Sequence, residues 1–179
     1  MDKNTPSKDK APTAPMGGQA DDMQSISPLP VHIHAQYIKD LSIENPNAPH
    51  SLKMTGGRPS LDVAFTMDAK SIKEEGMNNL FEVTLGIEAT AKKDETVAFI
   101  VELQYAVLVS LNDVPDEQAH PLLLIEMPRY VFPFARQILA DATQQAGFTP
   151  LLLSPVDFRD FYVQRYGQKQ PPPVQAKTA

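Results

Sequence analysis

Residues Glu126–Gly147 read EMPRYVFPFARQILADATQQAG, and the reading of this stretch decides the fold. Val131, Phe132, Phe134, Ala135, Ile138, Leu139 and Ala142 recur in it at helical spacing. Pro128 suits a first helical turn, where its missing N–H is not needed. Gly147 suits the left-handed residue that ends a helix. The spacing therefore predicts one long helix over 128–146, kinked or divided at Pro133. Its apolar side is too wide for a surface helix, because Phe132 and Phe134 point to different sides. A single small sheet covers one side only, so the second side predicts an oligomer interface. The pattern leaves open whether Phe134, Ile138 or Ala142 faces the partner.

Upstream of this helix the period changes to two. In VHIHAQYIKDLSIE the odd positions Val31, Ile33, Ala35, Tyr37, Leu41 and Ile43 are apolar, interrupted only by Lys39. The even positions carry His32, His34, Gln36, Asp40, Ser42 and Glu44, which predicts a strand with one buried and one wet face. NPNAPHSLKMTGGRPS is a loop by its prolines and glycines, long enough to suggest a role. A second strand, LDVAFTM, buries Leu61, Val63, Phe65 and Met67, and DAKSIKEEGMNN reads as a polar connection. Strand three alternates Phe81, Val83, Leu85, Ile87, Ala89 and Ala91 with polar residues. Strand four follows after the short turn KKDE, so the two form a hairpin.

Downstream, PLLLIEM reads as a short helical turn leading into the long helix. Beyond Gly147, FTPLLL is an extended apolar link. Ser154 is the expected cap of a second helix, with Pro155 in its first turn and Asp157 at its third position. Phe158, Phe161, Tyr162, Arg165 and Tyr166 make that helix aromatic along one side, either as core or as the lining of a groove. The pattern is that of an α+β domain over 28–167, a four-stranded antiparallel sheet with two helices packed on one face. Residues 1–27 and 168–179 are rich in Pro, Gly, Ser and Ala without apolar period and are expected to be disordered.

Bulk properties narrow the function classes. The 179 residues carry a formal net charge of -6. Setting aside the two termini, with five basic and four acidic residues, leaves net -7 on 28–167. A nucleic-acid partner is not expected of such a surface. Without cysteine there is no disulfide, thiolate nucleophile or thiolate metal site. No apolar run reaches the roughly 20 residues of a membrane span, and the N-terminal residues contain no hydrophobic secretion signal. A soluble, cytoplasmic protein is expected.

Asp40, Glu44, Asp62, Glu82, Glu88 and Glu102 all fall on the even register, with no basic set to offset them, so the outer sheet face reads as acidic. Catalytic candidates are few. His32 and His34 share a strand face and form a zinc site only if a third ligand converges. Gly56 and Gly57 stand alone in a proline-rich loop, not in a phosphate cradle. No nucleophile elbow or paired-carboxylate motif is present. The residues argue for binding and against enzymatic activity, with no cofactor implied; a carrier of small hydrophobic ligands would require a closed pocket among the aromatics.

YIKDLSIENPNAPH (37–50), FEVTL (81–85), FPFAR (132–136) and SPVDF (154–158) occur in this order, and from about Val31 to Tyr166 the chain closely resembles the bacterial protein-export chaperone SecB family. The resemblance implies a homotetramer, a dimer of dimers with the long helices packed between two sheets. It implies an ATP-independent holdase that keeps unfolded preproteins translocation-competent in the cytoplasm and passes them to the motor ATPase SecA. By resemblance Asp40, Glu44, Ile100 and Glu102 form the SecA-docking surface. The client groove corresponds to Leu61, Val63 and Phe65, the 45–57 loop, and Tyr162. Family members often end in an acidic tail, whereas this chain ends in QKQPPPVQAKTA, and 1–27 has no family role.

Overall fold

The computed structural model describes residues 30–53 and 59–167. The expectations for 1–27 and 168–179, and for part of the 45–57 loop, lie outside the described residues. Four strands, β1 (Val31–Glu44), β2 (Ser60–Glu74), β3 (Met77–Lys93) and β4 (Thr96–Leu111), form one antiparallel sheet in the order β1-β4-β3-β2. Helix α1 (Asp116–Pro121), a π-turn (Leu122–Glu126), α2 (Met127–Gln145) and α3 (Phe158–Tyr166) follow. The helices pack on one face of the sheet, as the alternation requires. Odd residues of β3 and β4, such as Val83, Leu85, Val101 and Val107, are buried in one core with Val131, Ala135, Leu139 and Phe158.

Local chemistry sets the hairpins. Asp94 and Glu95 take φ values of 48° and 65° between paired Lys93 and Thr96, a two-residue turn whose handedness matches the twist of the strands. The predicted polar connection at 68–79 is instead mostly strand. β2 runs to Glu74, β3 starts at Met77, and Gly76 takes φ 80° at the turn. On its outer face Lys70 pairs with Glu82, and on the helix side the small residues Ala69 and Ser71 pair with the core residues Val83 and Phe81, so the stretch shows no apolar alternation of its own.

Pro128 lies in the first turn of α2, as expected, and helical backbone leads into it from Asp116 through the π-turn. A proline ring clashes with the carbonyl four residues back. In the turn ahead of Pro128 the bonding is wider, the Met127 N–H reaching Leu122 O, which makes room for the ring. Pro133 does not divide α2, which is continuous from Met127 to Gln145. In α3 the cap is Asp157, not Ser154. Its Oδ1 accepts from the Arg159 N–H at 2.9 Å.

β1 departs most from simple alternation. Its pairing with β4 slips between Ile33 and Ala35 and again between Ile38 and Asp40, so His34 and Lys39 are extra residues, each a bulge. Cross-strand partners share a sheet face. Gln36 pairs with Val107 and Ile38 with Tyr105, which puts both on the helix side. Ala35 and Tyr37, expected in the core, pair with Leu108 and Ala106 and lie on the outer face. The second bulge restores the original phase, so Leu41 and Ile43 face the helices and Asp40 and Glu44 do not.

Candidate functional site

The outer sheet face brings together all four residues matched to the family's docking surface. Glu44 pairs with Ile100, Ser42 with Glu102, and Asp40 with Gln104, on the adjacent strands β1 and β4. On the next strand Glu88 pairs with Glu102, a like-charge pair set by the register shift between Ala91 and Lys92 and not by the hairpin length. Gly86 leaves a shallow depression of about 130 Å³ beside Asp40, Thr66, Glu88, Glu102 and Gln104. A Cβ there would meet Thr66 Oγ1 at 2.2 Å, so this dip is built into the sheet. Among the described residues none of Asp40, Glu44, Glu88 or Glu102 has an ion-pair partner.

A fifth acid of that face behaves differently. Glu82 accepts from Lys39 Nζ at 2.5 Å and from the Tyr37 hydroxyl. The lysine, then the phenol, hold its carboxyl below the ordinary value, and the same contact pushes Tyr37 up to about 12. The expectation of an acidic face without basic offset is therefore corrected at Glu82. The face divides into a neutralised end at Glu82 and an uncompensated end at Asp40, Glu44, Glu88 and Glu102.

Across the sheet, the residues matched to the client groove line the edge strand β2. Leu61 is 43% exposed, while Val63 and Phe65 are partly buried. Phe65 lies under α3, with ring centroids 6.3 Å from Phe132, 6.4 Å from Phe158 and 5.6 Å from Phe161. Tyr162 does not join this cluster. Its hydroxyl is hydrogen-bonded to His120 Nδ1 on α1 at 2.8 Å, and Tyr166 stacks beside both rings. Burial pushes the Tyr162 phenol up, with neighbouring Tyr166 adding to it, and pushes the His120 imidazole down. His120 was not legible as part of this site, since its partner lies 42 positions along the chain.

The loop after β1 is tied to the sheet. Ser51 Oγ donates to Asn45 Oδ1 at 2.5 Å, and Asn47 Nδ2 donates to the Val97 carbonyl at 2.9 Å. Ala48–Pro49 is a cis peptide within it. A second depression, of about 460 Å³, lies between β1 and α2, lined by Leu41, Ile43, Ile138, Asp141, Ala142, Gln145 and Ala146. Both depressions are open, unlike the closed pocket that a carrier of small hydrophobic ligands requires. His34 Nε2 lies 3.0 Å from Ser110 Oγ and its ring 4.6 Å from that of His32. Among the described residues no third ligand converges on the pair. No described helix is long and apolar enough to cross a membrane.

Residues 24–169 match the model of a family described as preprotein translocase subunit SecB. The protein-export protein SecB of Novosphingobium aromaticivorans is 47% identical over 136 residues, 76% of each chain. That of Rhodopseudomonas palustris strain HaA2 is 44% identical over 147 residues, 82% of this chain and 90% of the relative. Among solved structures, a SecB-like chaperone of Mycobacterium tuberculosis in complex with a ChAD peptide from an antitoxin superposes with TM-score 0.55 at 14% identity. That alignment covers 70% of this chain and 87% of the other, and it speaks to the fold.

Proposed function

The chain belongs to the SecB family of protein-export chaperones, and from that premise we propose that it holds unfolded preproteins in the cytoplasm and delivers them to the SecA motor. It acts by binding, without ATP or a cofactor of its own. The observation that carries this reading is the sheet with two different faces: an aromatic, partly open edge at Leu61, Val63 and Phe65, and an uncompensated acidic patch behind it. Clients bind the first, with Tyr162 at its rim. SecA docks through a basic segment on the second, at Asp40, Glu44, Ile100 and Glu102.

Self-association belongs to the same proposal. Tyr130 and Phe134 on α2 are 44% and 46% exposed, and Ile38 and Leu41 on β1 are 46% and 39% exposed. Covering them with further copies in a dimer of dimers removes this apolar surface from water, at ~25 cal/mol per Å². Ile138→Asp buries an unpaired charge in that contact and is expected to dissociate the assembly before it unfolds the protomer.

The deciding experiment is the double variant Asp40→Lys/Glu102→Lys. Exposed ion pairs are worth only ~0.2–1 kcal/mol each, so docking works as a cluster repeated across copies and weakens steeply with salt. The variant is expected to lose SecA binding while retaining native mass and capture of an unfolded client. Equal loss of client capture would show that the outer face is not a separate docking site.

A further inference from the structure

Helix α3 is held differently at its two ends. Phe158, its first residue, is 1% exposed and packs its ring against Phe65 and Phe132. Further along, Phe161, Tyr162 and Tyr166 are only partly buried, and Val163 is exposed. No backbone hydrogen bond joins α3 to another element among the described residues. The contact that closes the far end is polar. The Tyr162 hydroxyl lies 2.8 Å from Nδ1 of His120 on α1, and the imidazole ring sits 5.5 Å from the Tyr162 ring and 4.9 Å from the Tyr166 ring. In this position Phe161 covers Phe65 of β2 at 5.6 Å. A buried pivot, a covering ring and a polar clasp beyond it are the parts of a hinged cover.

We infer that α3 is a proton-released cover: charging His120 undoes its clasp on Tyr162, α3 swings about Phe158, and Phe65 is uncovered. This rests on the chaperone reading for what the uncovered ring meets, an unfolded client, and adds a condition that opens it. A neutral imidazole takes the phenol hydrogen at an unprotonated Nδ1, whereas imidazolium has only donors, so the phenol must turn its hydrogen away. The surrounding groups do not repair that loss. From α3 the imidazole faces the phenols of Tyr162 and Tyr166, and the Arg165 guanidinium 5.8 Å over the Tyr166 ring repels a second cation there. The other charges of α3 near its start, Arg159 and Asp160, are exposed. The π-turn packed against α3 carries Glu126, which is paired with Arg129. On the histidine's own helix Asp116 and Glu117 stand about one turn back and attract imidazolium. They do so whether α3 is docked or released, so they do not oppose release. Burial among the rings disfavours the charged form only while α3 is docked. Protons therefore bind the released state first, and acid opens the cover.

The test takes the full chain in its native assembly from about pH 7.5 to about pH 5.5, which brackets the ordinary histidine range. Three quantities are followed: the His120 ring signal by NMR, amide protection over Phe158–Tyr166, and capture of a synthetic unfolded peptide. The peptide carries leucine, phenylalanine, threonine and lysine but no histidine or acidic side chain, so its own charge changes little over this window. Protection in α3 is expected to fall by up to about tenfold per pH unit while His120 titrates, the slope of one proton. Peptide capture is expected to rise in the same window. His120→Phe keeps a ring but takes no charge, and is expected to flatten both responses. Should that variant fail to assemble, the wild-type chain decides alone, because loss of α3 protection must share the midpoint of the His120 signal. Constant α3 protection through that titration, or an equal fall in His120→Phe, would overturn the inference and leave the chaperone reading standing if the peptide is captured at neutral pH. Opening of α3 without a gain in capture would overturn its role as a cover. Absence of capture at every pH would remove the chaperone reading and the inference with it.

Discussion

Lys39 of β1 places its Nζ 2.5 Å from Glu82 Oε2 on β3, reaching over the intervening strand β4. The reach depends on the bulge at Lys39, which inserts the residue between the paired positions Ile38 and Asp40. Tyr37, turned outward by the bulge before it, contacts the same carboxylate. Together they withdraw Glu82 from the acidic face and leave the charge concentrated around Asp40, Glu88 and Glu102.

Lys39→Met is expected to cost ~0.2–1 kcal/mol, the range of a partly exposed ion pair. The Glu82 contribution is present above its ordinary value of 4.5 and is lost as pH falls through its lowered value. For Tyr37 the sign reverses. Its contribution is complete below 10.0 and is lost as pH rises toward about 12. Absorbance titration of the tyrosines checks this: Glu82→Gln is expected to bring the late-titrating phenol back toward 10.0.

His120 faces Tyr162 and Tyr166 of α3, with Arg165 stacked 5.8 Å over the Tyr166 ring, and Asp116 and Glu117 occupy the first turn of its own helix. No ion pair to it is formed among the described residues. Because burial lowers its pKa, the packed state favours neutral imidazole, and the undocked state takes up a proton first. Stability at α3 is therefore expected to fall as pH drops below 6.5. Amide exchange over Phe158–Tyr166 at descending pH measures it, and His120→Phe is expected to flatten the response.

Thr143 is fully buried; its Oγ1 donates to Leu139 O at 2.8 Å and accepts from the Leu151 N–H at 2.9 Å. This single hydroxyl ties the extended link to α2. Thr143→Val preserves shape but orphans the Leu151 N–H, at an expected cost of about 1–3 kcal/mol in denaturant unfolding. Thr143→Ser is expected to recover most of that loss.

Glu95 holds φ 65° in the β3–β4 turn, a conformation costly for any residue with a Cβ. Glu95→Gly is expected to stabilise the fold by about 0.5–1 kcal/mol, the relieved strain exceeding the added chain entropy. A raised Tm without change in native mass is the expected result.

The sequence by itself determined the features whose physics is local. Alternation at period two in 81–91 and 97–109, the short turn at Asp94–Glu95, and the helical period around Ala135 and Leu139 depend only on near neighbours along the chain. They were enough for the four-stranded sheet with helices on one face, and for placing Asp40, Glu44 and Glu102 on the outer side. The end of β2 was missed because Lys70 and Glu74 carry signals that favour turns when read without their neighbours.

Only the tertiary structure decided where β1 slips. Ala35, Tyr37 and Lys39 share one parity with Ile33 and Leu41, and nothing along the strand marks two inserted residues. A bulge is a property of two strands, since it exists only as a mismatch in their count. The register of β4 turns Tyr37 and Ala35 outward and Gln36 inward, and it brings Lys39 to Glu82. The same holds for His120 and Tyr162, which meet because α3 folds back across α1. Contacts between residues 42 or 43 positions apart follow from packing, not from local propensity, because the chain pays the entropy of closing those loops only when the whole core forms.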